Sequence, residues 1–268
     1  MIVQFRPFGQ LAFQVSALGF GCMRLPTRKS REQIDESEAT RMLHYAIDNG
    51  VSYLDSGYGY HGGNSERFLG RALKGGYRQR VRLATKLPSG EVHATSDFDR
   101  VLNEQLSRLQ TDHIDCYLFH GLRRERWEHV RALGAREWVA KIKADGRIGY
   151  IGFSFHDTFD AFKYIIDDFD AWEFCQIQYN YMNEDYQAGT AGLRYAAARG
   201  LGVIVMEPLL GGRLANPPQT IRSIWDRAER LRTPQAVRTN DFRHLQSAHK
   251  PLTVRLHIDL AIRSSWTV

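Results

Sequence analysis

Short apolar runs alternate with longer amphipathic segments along most of this chain, in seven consecutive pairs between residues 15 and 230. In the amphipathic segments the apolar residues recur every three or four positions, which is typical of helices with one buried face. Strands that alternate with such helices form βαβ units and a parallel sheet. Seven units with short loops favour a closed (β/α)8 TIM barrel of the α/β class over an open sheet. The GxGxxG motif of open dinucleotide-binding sheets does not follow the first run.

The predicted elements follow from this alternation. Strands are predicted at residues 15–21, 51–55, 81–86, 114–120, 148–154, 174–179 and 203–208. Helices are predicted at residues 37–49, 65–74, 96–109, 127–145, 157–166, 188–199 and 221–230. Before the first unit, residues 3–8 and 12–15 flank Gly9-Gln10, which predicts an N-terminal β-hairpin that can plug the bottom of the barrel.

The pattern fails after about Thr233. Residues 252–260 alternate between apolar and polar, which suits a strand with one wet face, whereas a barrel strand is normally apolar on both faces. We therefore predict a TIM barrel that is incomplete at the eighth βα unit, with residues 1–232 as the barrel and residues 233–268 as a basic tail. An open barrel is favoured over closure by residues 252–260, because Arg255 and Asp259 would lie on a face that should be dry.

The charge of the chain sits at one end. The net charge is +6, yet residues 1–212 hold 26 basic and 26 acidic groups, and residues 213–268 hold 10 and 4. A nucleic-acid surface would be a basic stripe on the fold, so we expect no nucleic-acid partner.

No apolar run approaches the roughly 18 residues of a membrane span, and the N-terminus lacks signal-peptide features. Three widely spaced cysteines favour a reducing compartment, the cytoplasm. The sequence leaves the oligomeric state open.

Polar side chains stand at six of the predicted strand ends, where TIM barrels carry their active sites. They are Asp55, Lys86, His120, Ser154, Gln176 and Glu207, and Tyr60 follows Asp55 by five residues. Taken singly, each has an ordinary interpretation: a helix cap, a solvated charge or a hydrogen-bonded core histidine.

Two other kinds of site could use some of the same residues. His113, Cys116 and His120 suggest a metal site, but no second cysteine pair supplies a tetrahedral ligand set, so we expect no metal. Asp55 and Glu207 remain open as a carboxylate pair for glycoside hydrolysis, which needs two carboxyl groups facing each other across the substrate.

The order and spacing of six segments resemble the aldo-keto reductase superfamily over about residues 3–232. The segments are LGFGCM (18–23), DSGYGY (55–60) with Ser65-Glu66, ATK (84–86), LFH (118–120), IGFS (151–154) and QIQY (176–179). Members of that family fold as (β/α)8 barrels and reduce carbonyls with NADPH. The resemblance is strongest to a bacterial branch that often carries a C-terminal ferredoxin-like segment with iron–sulfur cysteines. This chain has no such segment, so we expect no iron–sulfur cluster in it.

The resemblance implies a catalytic set made of Asp55, Tyr60, Lys86 and His120. A free tyrosine has a pKa near 10 and is a reluctant acid, but a neighbouring ammonium favours the phenolate and lowers that pKa. Tyr60 would thus be the general acid and Lys86 the group that tunes it. Asp55 would hold Lys86 in place, and His120 would donate a hydrogen bond to the carbonyl oxygen.

The resemblance also implies where NADPH or NADH binds. The residues expected to contact it are Cys22 and Met23 after the first strand, Ser154 and Gln176 at the nicotinamide carboxamide, and Met206, Pro208, Leu209 and Gly211 around the nicotinamide and pyrophosphate. Phe155 stands where many relatives have Asn, and Met206 where many have an aromatic residue. Residues 234–268 match nothing of the family's eighth strand and the Ser/Lys/Arg loop that binds the adenosine 2′-phosphate.

The sequence therefore predicts an NAD(P)H-dependent oxidoreductase that reduces an aldehyde or ketone to an alcohol, with a small-molecule carbonyl as its substrate. The alternatives left open are a non-catalytic, regulatory nucleotide-binding barrel and an inactive, truncated aldo-keto reductase. If the 2′-phosphate site is missing, NADPH should show little preference over NADH.

Overall fold

The computed structural model of the chain describes residues 3–216, 218–227 and 256–260, which hold ten strands and eight α-helices. The strands are β1 (Phe5–Pro7), β2 (Gln14–Ser16), β3 (Leu18–Gly21), β4 (Tyr53–Asp55), β5 (Arg82–Leu87), β6 (Ile114–Leu122), β7 (Ile148–Phe155), β8 (Phe174–Gln178), β9 (Gly202–Met206) and β10 (Leu256–Leu260). The helices are α1 (Glu36–Asp48), α2 (Asn64–Ala72), α3 (Thr95–Leu109), α4 (Arg124–Ala132), α5 (Ala135–Ala144), α6 (Phe159–Asp168), α7 (Gly189–Ala198) and α8 (Gln219–Arg227).

Strands β3 to β10 form a closed parallel barrel, which confirms the TIM-barrel prediction. The expectation that the barrel is open between its seventh and first strands is wrong, because β10 pairs with both β3 and β9. Ile258 lies level with Leu18 on one side and with Val205 on the other. Two facing strand edges present rows of unpaired N–H and C=O groups, and an extended segment pairs with them whatever its side-chain alternation.

Of the eighth βα unit, the described part of the chain contains the strand alone. Residues 261–268, which follow this strand, lie outside the described residues. So does the proposed domain boundary after residue 232, which lies within residues 228–255. No helix among the described residues is long and apolar enough to span a membrane.

The N-terminal hairpin is confirmed, since β1 and β2 pair antiparallel with Phe5 opposite Ser16. Beyond it, Phe8 is fully buried, and its ring lies 5.4 Å from that of Phe174 and 6.3 Å from that of Tyr53. Gly202 has no side chain at this point, where a Cβ would lie 2.4 Å from the Phe8 ring. Tyr53, Phe174 and Gly202 all begin barrel strands, so Phe8 plugs the N-terminal end of the barrel.

Two predicted elements are divided in the structure. The predicted first strand separates at Ala17, where β2 pairs with β1 of the hairpin and β3 with the barrel. The predicted helix at residues 127–145 is two helices, α4 and α5, with Gly134 between them at a φ of +90°. Only glycine adopts that conformation readily. Both helices still pack on the barrel, as the rings of Trp127 and Trp138 lie 6.1 and 6.3 Å from that of Phe119 in β6.

The direction of the strands collects the polar strand ends at one end of the barrel. Asp55 ends β4, Lys86 lies one residue before the end of β5, and His120 lies near the end of β6. Ser154 and Gln176 occupy paired positions in β7 and β8. Because all the barrel strands are parallel, these residues meet at the end opposite to the hairpin.

Candidate active site

A fully buried ammonium lies at the centre of this end of the barrel. Lys86 Nζ is 2.6 Å from Asp55 Oδ2, 2.5 Å from the backbone oxygen of Ser56 and 3.1 Å from the Tyr60 hydroxyl. These three acceptors match the three N–H donors of an ammonium. Burial lowers the pKa of Lys86, but the Asp55 carboxylate outweighs that effect, so the pKa stays above its usual value. Lys86 is therefore charged at neutral pH.

The Tyr60 side chain is held between this ammonium and His120. Lys86 Nζ lies 4.8 Å from the centre of the Tyr60 ring, and the rings of Tyr60 and His120 meet edge to face at 5.8 Å. Gly57, in the same loop, makes room for the tyrosine, since a Cβ there would lie 3.1 Å from the ring. The Tyr60 ring thus packs against the backbone of its loop at Gly57, and its hydroxyl lies at Lys86.

His120 is neutral in the folded protein. Burial lowers the pKa of its imidazole to about 3, and the neighbouring Lys86, His156 and Arg126 side chains act in the same direction. A neutral imidazole carries one N–H donor and one acceptor. Neither ring nitrogen of His120 hydrogen-bonds to another residue in the described part of the chain, so the ring can donate to a ligand beside Tyr60.

The structure thus brings Asp55, Tyr60 and His120 together around the ammonium of Lys86. The glycosidase arrangement does not form, because Asp55 binds Lys86 and Glu207 is exposed in the loop after β9. Within the described residues, no group of three or more His, Cys, Asp or Glu side chains is arranged to hold a metal ion.

Buried acceptors without donors mark the expected nicotinamide pocket. Gln176 Oε1 is buried and accepts no hydrogen bond from the described residues, and the same holds for Gln178 Oε1 and for Asp55 Oδ1. A buried polar atom left unsatisfied costs about 1–3 kcal/mol, so we expect a ligand or a water to supply the missing donors here. A carboxamide NH2 group supplies the donors that Gln176 lacks. Ser154 Oγ accepts from the Gly121 N–H at 2.7 Å, which leaves its hydroxyl hydrogen to donate to a carboxamide oxygen.

The loop after β9 has the backbone shape of a phosphate-binding turn. Glu207, Leu210, Gly211 and Gly212 all have positive φ values, between 45° and 94°. A Cβ at Gly211 or Gly212 would meet nothing within 4 Å, so the backbone there is open to an approaching group. Left-handed turns of this kind form concavities lined by N–H groups, which suit phosphate oxygens. The other expected contacts frame the loop: Met206 and Leu209 are half-buried and Pro208 is buried.

The loop after β3, which holds Cys22 and Met23, offers fewer side chains to a cofactor than the sequence predicts. Cys22 is fully buried and packs in the core between barrel and helices, while its backbone oxygen accepts from Ser65 Oγ at 3.2 Å. Met23 is half-buried beside it. Of this pair, Met23 therefore offers a side chain to a ligand, and Cys22 supports the loop from behind.

Three features of the site have weak sequence signals or none. The Ser56 oxygen binds Lys86 as backbone and leaves no mark in the sequence. Gln178 follows Gln176 by two residues in a strand, so period two places both inside the barrel. His61 lies next to Tyr60 with a φ of 54°; its Nε2 accepts from the Leu25 N–H at 3.2 Å, and its Nδ1 lies 2.5 Å from the Arg31 oxygen. The imidazole thus joins the first loop to the Tyr60 loop.

The chain is similar to known proteins over most of its length. The model of the Aldo/keto reductase family matches residues 17–253. The YrpG oxidoreductase of Bacillus subtilis is 29% identical over 238 residues, which cover 79% of this chain and 68% of that protein. "Probable aldo-keto reductase 1" of Glycine max is 29% identical over 157 residues, or 54% of this chain, and the match spans less than half (43%) of the soybean protein.

A solved structure shares the fold as well. The aldo-keto reductase AKR11C1 of Bacillus halodurans, in its holo form, superposes with a TM-score of 0.66 at 28% identity. The superposition covers 81% of this chain and 70% of that one.

The neutral state of His120 predicts how stability depends on pH. The folded state holds the pKa of this imidazole at about 3, against 6.5 in an unperturbed histidine, so between those pH values mainly the unfolded state takes up the proton. The free energy of unfolding therefore falls as the pH falls through this window, by about 2 kcal/mol at pH 5 from this group alone. Urea unfolding of the wild type and of His120→Gln, from about pH 7 to pH 5, measures the difference. Two curves that run parallel would show that His120 is not held neutral.

Proposed function

Because the chain belongs to the aldo-keto reductase family of NAD(P)H-dependent oxidoreductases, we propose that it reduces an aldehyde or ketone to the alcohol with Tyr60 as the proton donor. One observation carries this proposal: the buried Lys86 ammonium contacts both the Asp55 carboxylate and the Tyr60 hydroxyl. A tyrosine beside a permanent positive charge can give up its proton at neutral pH more readily than a free phenol does. The substrate is a small carbonyl compound.

The residues around the unsatisfied acceptors fit a nicotinamide cofactor, NADPH or NADH. We assign Gln176 and Ser154 to the carboxamide, Met23 and Met206 to packing around the nicotinamide and its ribose, and the loop from Pro208 through Leu209 to Gly211 to the pyrophosphate. Met206 offers a thioether in place of an aromatic face. When bound, this cofactor supplies the hydride.

The chain's own residues then handle the proton and the charge on oxygen. Tyr60 O–H and a His120 N–H both donate to the carbonyl oxygen, which orients it and stabilises the negative charge that develops there. The Tyr60 proton passes to that oxygen, and the phenolate left behind is stabilised by the Lys86 ammonium at 3.1 Å. Asp55 keeps Lys86 charged and fixed, because its carboxylate offsets the cost of burying the ammonium.

Neither alternative function gains support. A non-catalytic nucleotide-binding barrel has no need of a tyrosine hydroxyl on a buried ammonium. The inactive, truncated form rested on the missing C-terminal part of the family pattern, yet β10 takes the place of the eighth strand and pairs with β3 and β9. We place the protein in the cytoplasm, since its three cysteines, Cys22, Cys116 and Cys175, are few, odd in number and far apart in the sequence.

Replacing the proposed acid tests this function directly. We expect Tyr60→Phe to lower the rate of carbonyl reduction by about 10²–10⁴-fold, the range of general acid catalysis, because the proton donor is lost. NADPH binding should change little, because Tyr60 has no role in holding the cofactor. The rate is followed by the loss of NADPH absorbance with 4-nitrobenzaldehyde, and the affinity by fluorescence titration. The matched control is Tyr45→Phe, at an exposed tyrosine of α1. A Tyr60→Phe rate within about threefold of wild type would remove Tyr60 from the mechanism.

The cofactor preference tests the missing 2′-phosphate site. Residues 234–268 contain no counterpart of the family's Ser/Lys/Arg loop, so we expect the dissociation constants of NADPH and NADH to differ by less than about tenfold. One charge-assisted hydrogen bond to the 2′-phosphate, worth about 1.5–3 kcal/mol, would already exceed that ratio. Fluorescence titrations with both cofactors at the same ionic strength give the ratio. A preference for NADPH above about a hundredfold would mean that the chain binds the 2′-phosphate by other groups.

A further inference from the structure

A buried set of polar side chains lies behind the active site, on the side of α2 and α3. At its centre the Glu66 carboxylate of α2 is fully buried. Its Oε1 accepts from Thr85 Oγ1 at 2.6 Å and from Gln105 Nε2 at 2.7 Å, and its Oε2 accepts from Arg108 Nη1 at 3.2 Å. We call Glu66, Gln105 and Arg108 the rear frame.

The rear frame holds both sides of the Tyr60 loop. Arg108 Nη1 donates to the backbone oxygen of Tyr58 at 3.2 Å, and the guanidinium lies 4.3 Å from the centre of the Tyr58 ring. The same nitrogen lies against Gly63, where a Cβ would be only 3.2 Å away. Tyr58 and Gly63 stand two residues before and three residues after Tyr60, so one guanidinium hydrogen-bonds to one flank of the segment that carries the proposed acid and lies close to the other.

The rear frame also holds the strand that carries the ammonium. Gln105 Nε2 donates to the backbone oxygen of Lys86 at 3.0 Å, and the Tyr117 hydroxyl fixes the other end of that amide at 2.6 Å. Gln105 and Arg108 lie one turn apart on α3 and share Glu66. The backbone of the Tyr60 loop, at Tyr58, and the backbone of Lys86 in β5 are therefore hydrogen-bonded to one side-chain network.

The Tyr60 loop needs such support because one of its residues, His61, is held in a strained backbone conformation. His61, Gly62 and Gly63 all have left-handed φ values, of 54°, 64° and 85°. A non-glycine residue in this region costs about 1 kcal/mol or more and persists only where its surroundings impose it. Without contacts on both flanks we expect the loop to relax and the Tyr60 hydroxyl to leave the ammonium.

We propose that Arg108 is a positioning residue for the reaction: its guanidinium fixes the Tyr60 loop against Glu66 and so keeps the Tyr60 hydroxyl on the Lys86 ammonium. This inference rests on the proposed function. It assigns no contact with substrate or cofactor to Arg108. An arginine that served stability alone would be equivalent to any other partly buried arginine that binds a buried carboxylate of the barrel, and Arg78 allows the comparison.

The matched control is Arg78 at the opposite end of the barrel. Its Nη2 lies 2.8 Å from Asp115 Oδ2 and donates to the His113 backbone oxygen at 2.8 Å. Like Arg108, it joins a buried carboxylate to backbone carbonyls beside β5 and β6, but far from Tyr60. Arg108→Met and Arg78→Met both keep the aliphatic stem and remove the guanidinium, so they should lower the melting temperature by similar amounts.

The first measurement needs no cofactor and no activity. NMR of protein with isotope-labelled tyrosine follows the ionisation of Tyr60, whose signal is identified by its loss in Tyr60→Phe. In Arg108→Met we expect the midpoint of this titration to move up by about one pH unit or more, since the phenolate loses its fixed ammonium. In Arg78→Met the midpoint should stay at the wild-type value.

The second measurement is the reduction of 4-nitrobenzaldehyde. Arg108→Met should lower kcat by about 10–100-fold with KM nearly unchanged, because a small misplacement of the Tyr60 hydroxyl affects the chemical step more than substrate binding.

The outcomes separate this inference from the proposed function. If the Tyr60 titration is the same in Arg108→Met and Arg78→Met, the positioning role is wrong, even with Tyr60 as the acid. If Tyr60→Phe stays active, the proposed function fails, while the titration still decides whether Arg108 positions Tyr60. Should Arg108→Met not fold because Glu66 is left unpaired, the double variant Glu66→Gln with Arg108→Met removes both charges together. A raised Tyr60 midpoint in that double variant supports the positioning role, and an unchanged midpoint overturns it.

Discussion

The interaction on which the site depends is the burial of one ammonium, that of Lys86, with all of its donors satisfied. An unpaired charge in a protein interior costs several kcal/mol, so this group is tolerable only where its surroundings supply acceptors at fixed positions. Here Asp55 supplies one, the Ser56 backbone a second and the Tyr60 hydroxyl the third. The third contact links this structural requirement to the proposed chemistry, because the side chain that completes the hydrogen bonding of the ammonium is the proposed proton donor, Tyr60.

The barrel provides what this arrangement needs. Parallel strands bring the ends of β4, β5 and β6 together, so that groups about 30 residues apart in the chain meet within hydrogen-bond distance. The hairpin closes the other end, where Phe8 fills the barrel, and β10 removes the two strand edges that would otherwise face solvent. The rear frame then supports the side of the site on which the Tyr60 loop lies. Rigid surroundings matter because a displacement of the hydroxyl by about 1 Å is enough to lose most of the benefit of a positioned acid.

Much of this could be predicted from the sequence, for identifiable reasons. Asp55, Lys86 and His120 stand at the ends of apolar runs, and runs that alternate with helices imply parallel strands. Tyr60 stands in a loop. Only the resemblance of the DSGYGY segment (55–60) to the aldo-keto reductase pattern predicted its role. The Ser56 oxygen could not be predicted, because a backbone carbonyl has no residue type. The role of Arg108 could not be predicted either, because its partners Tyr58 and Glu66 lie 50 and 42 positions away in the chain. The expectation of an open barrel rested on the side chains of residues 252–260, whereas the pairing of β10 satisfies backbone groups.

We propose that the Lys86–Asp55 pair serves the reaction and not the fold. One double variant tests this proposal most directly. Replacing a buried ion pair by apolar residues of similar size is often neutral or stabilising, by about 1–4 kcal/mol. Lys86→Met with Asp55→Leu should therefore melt at or above the wild-type temperature and bind NADPH with similar affinity. Its rate of carbonyl reduction should fall by about 10²–10⁴-fold or more, because the proposed acid, Tyr60, has lost its neighbouring ammonium. A folded double variant that still reduces 4-nitrobenzaldehyde at close to the wild-type rate would contradict the account.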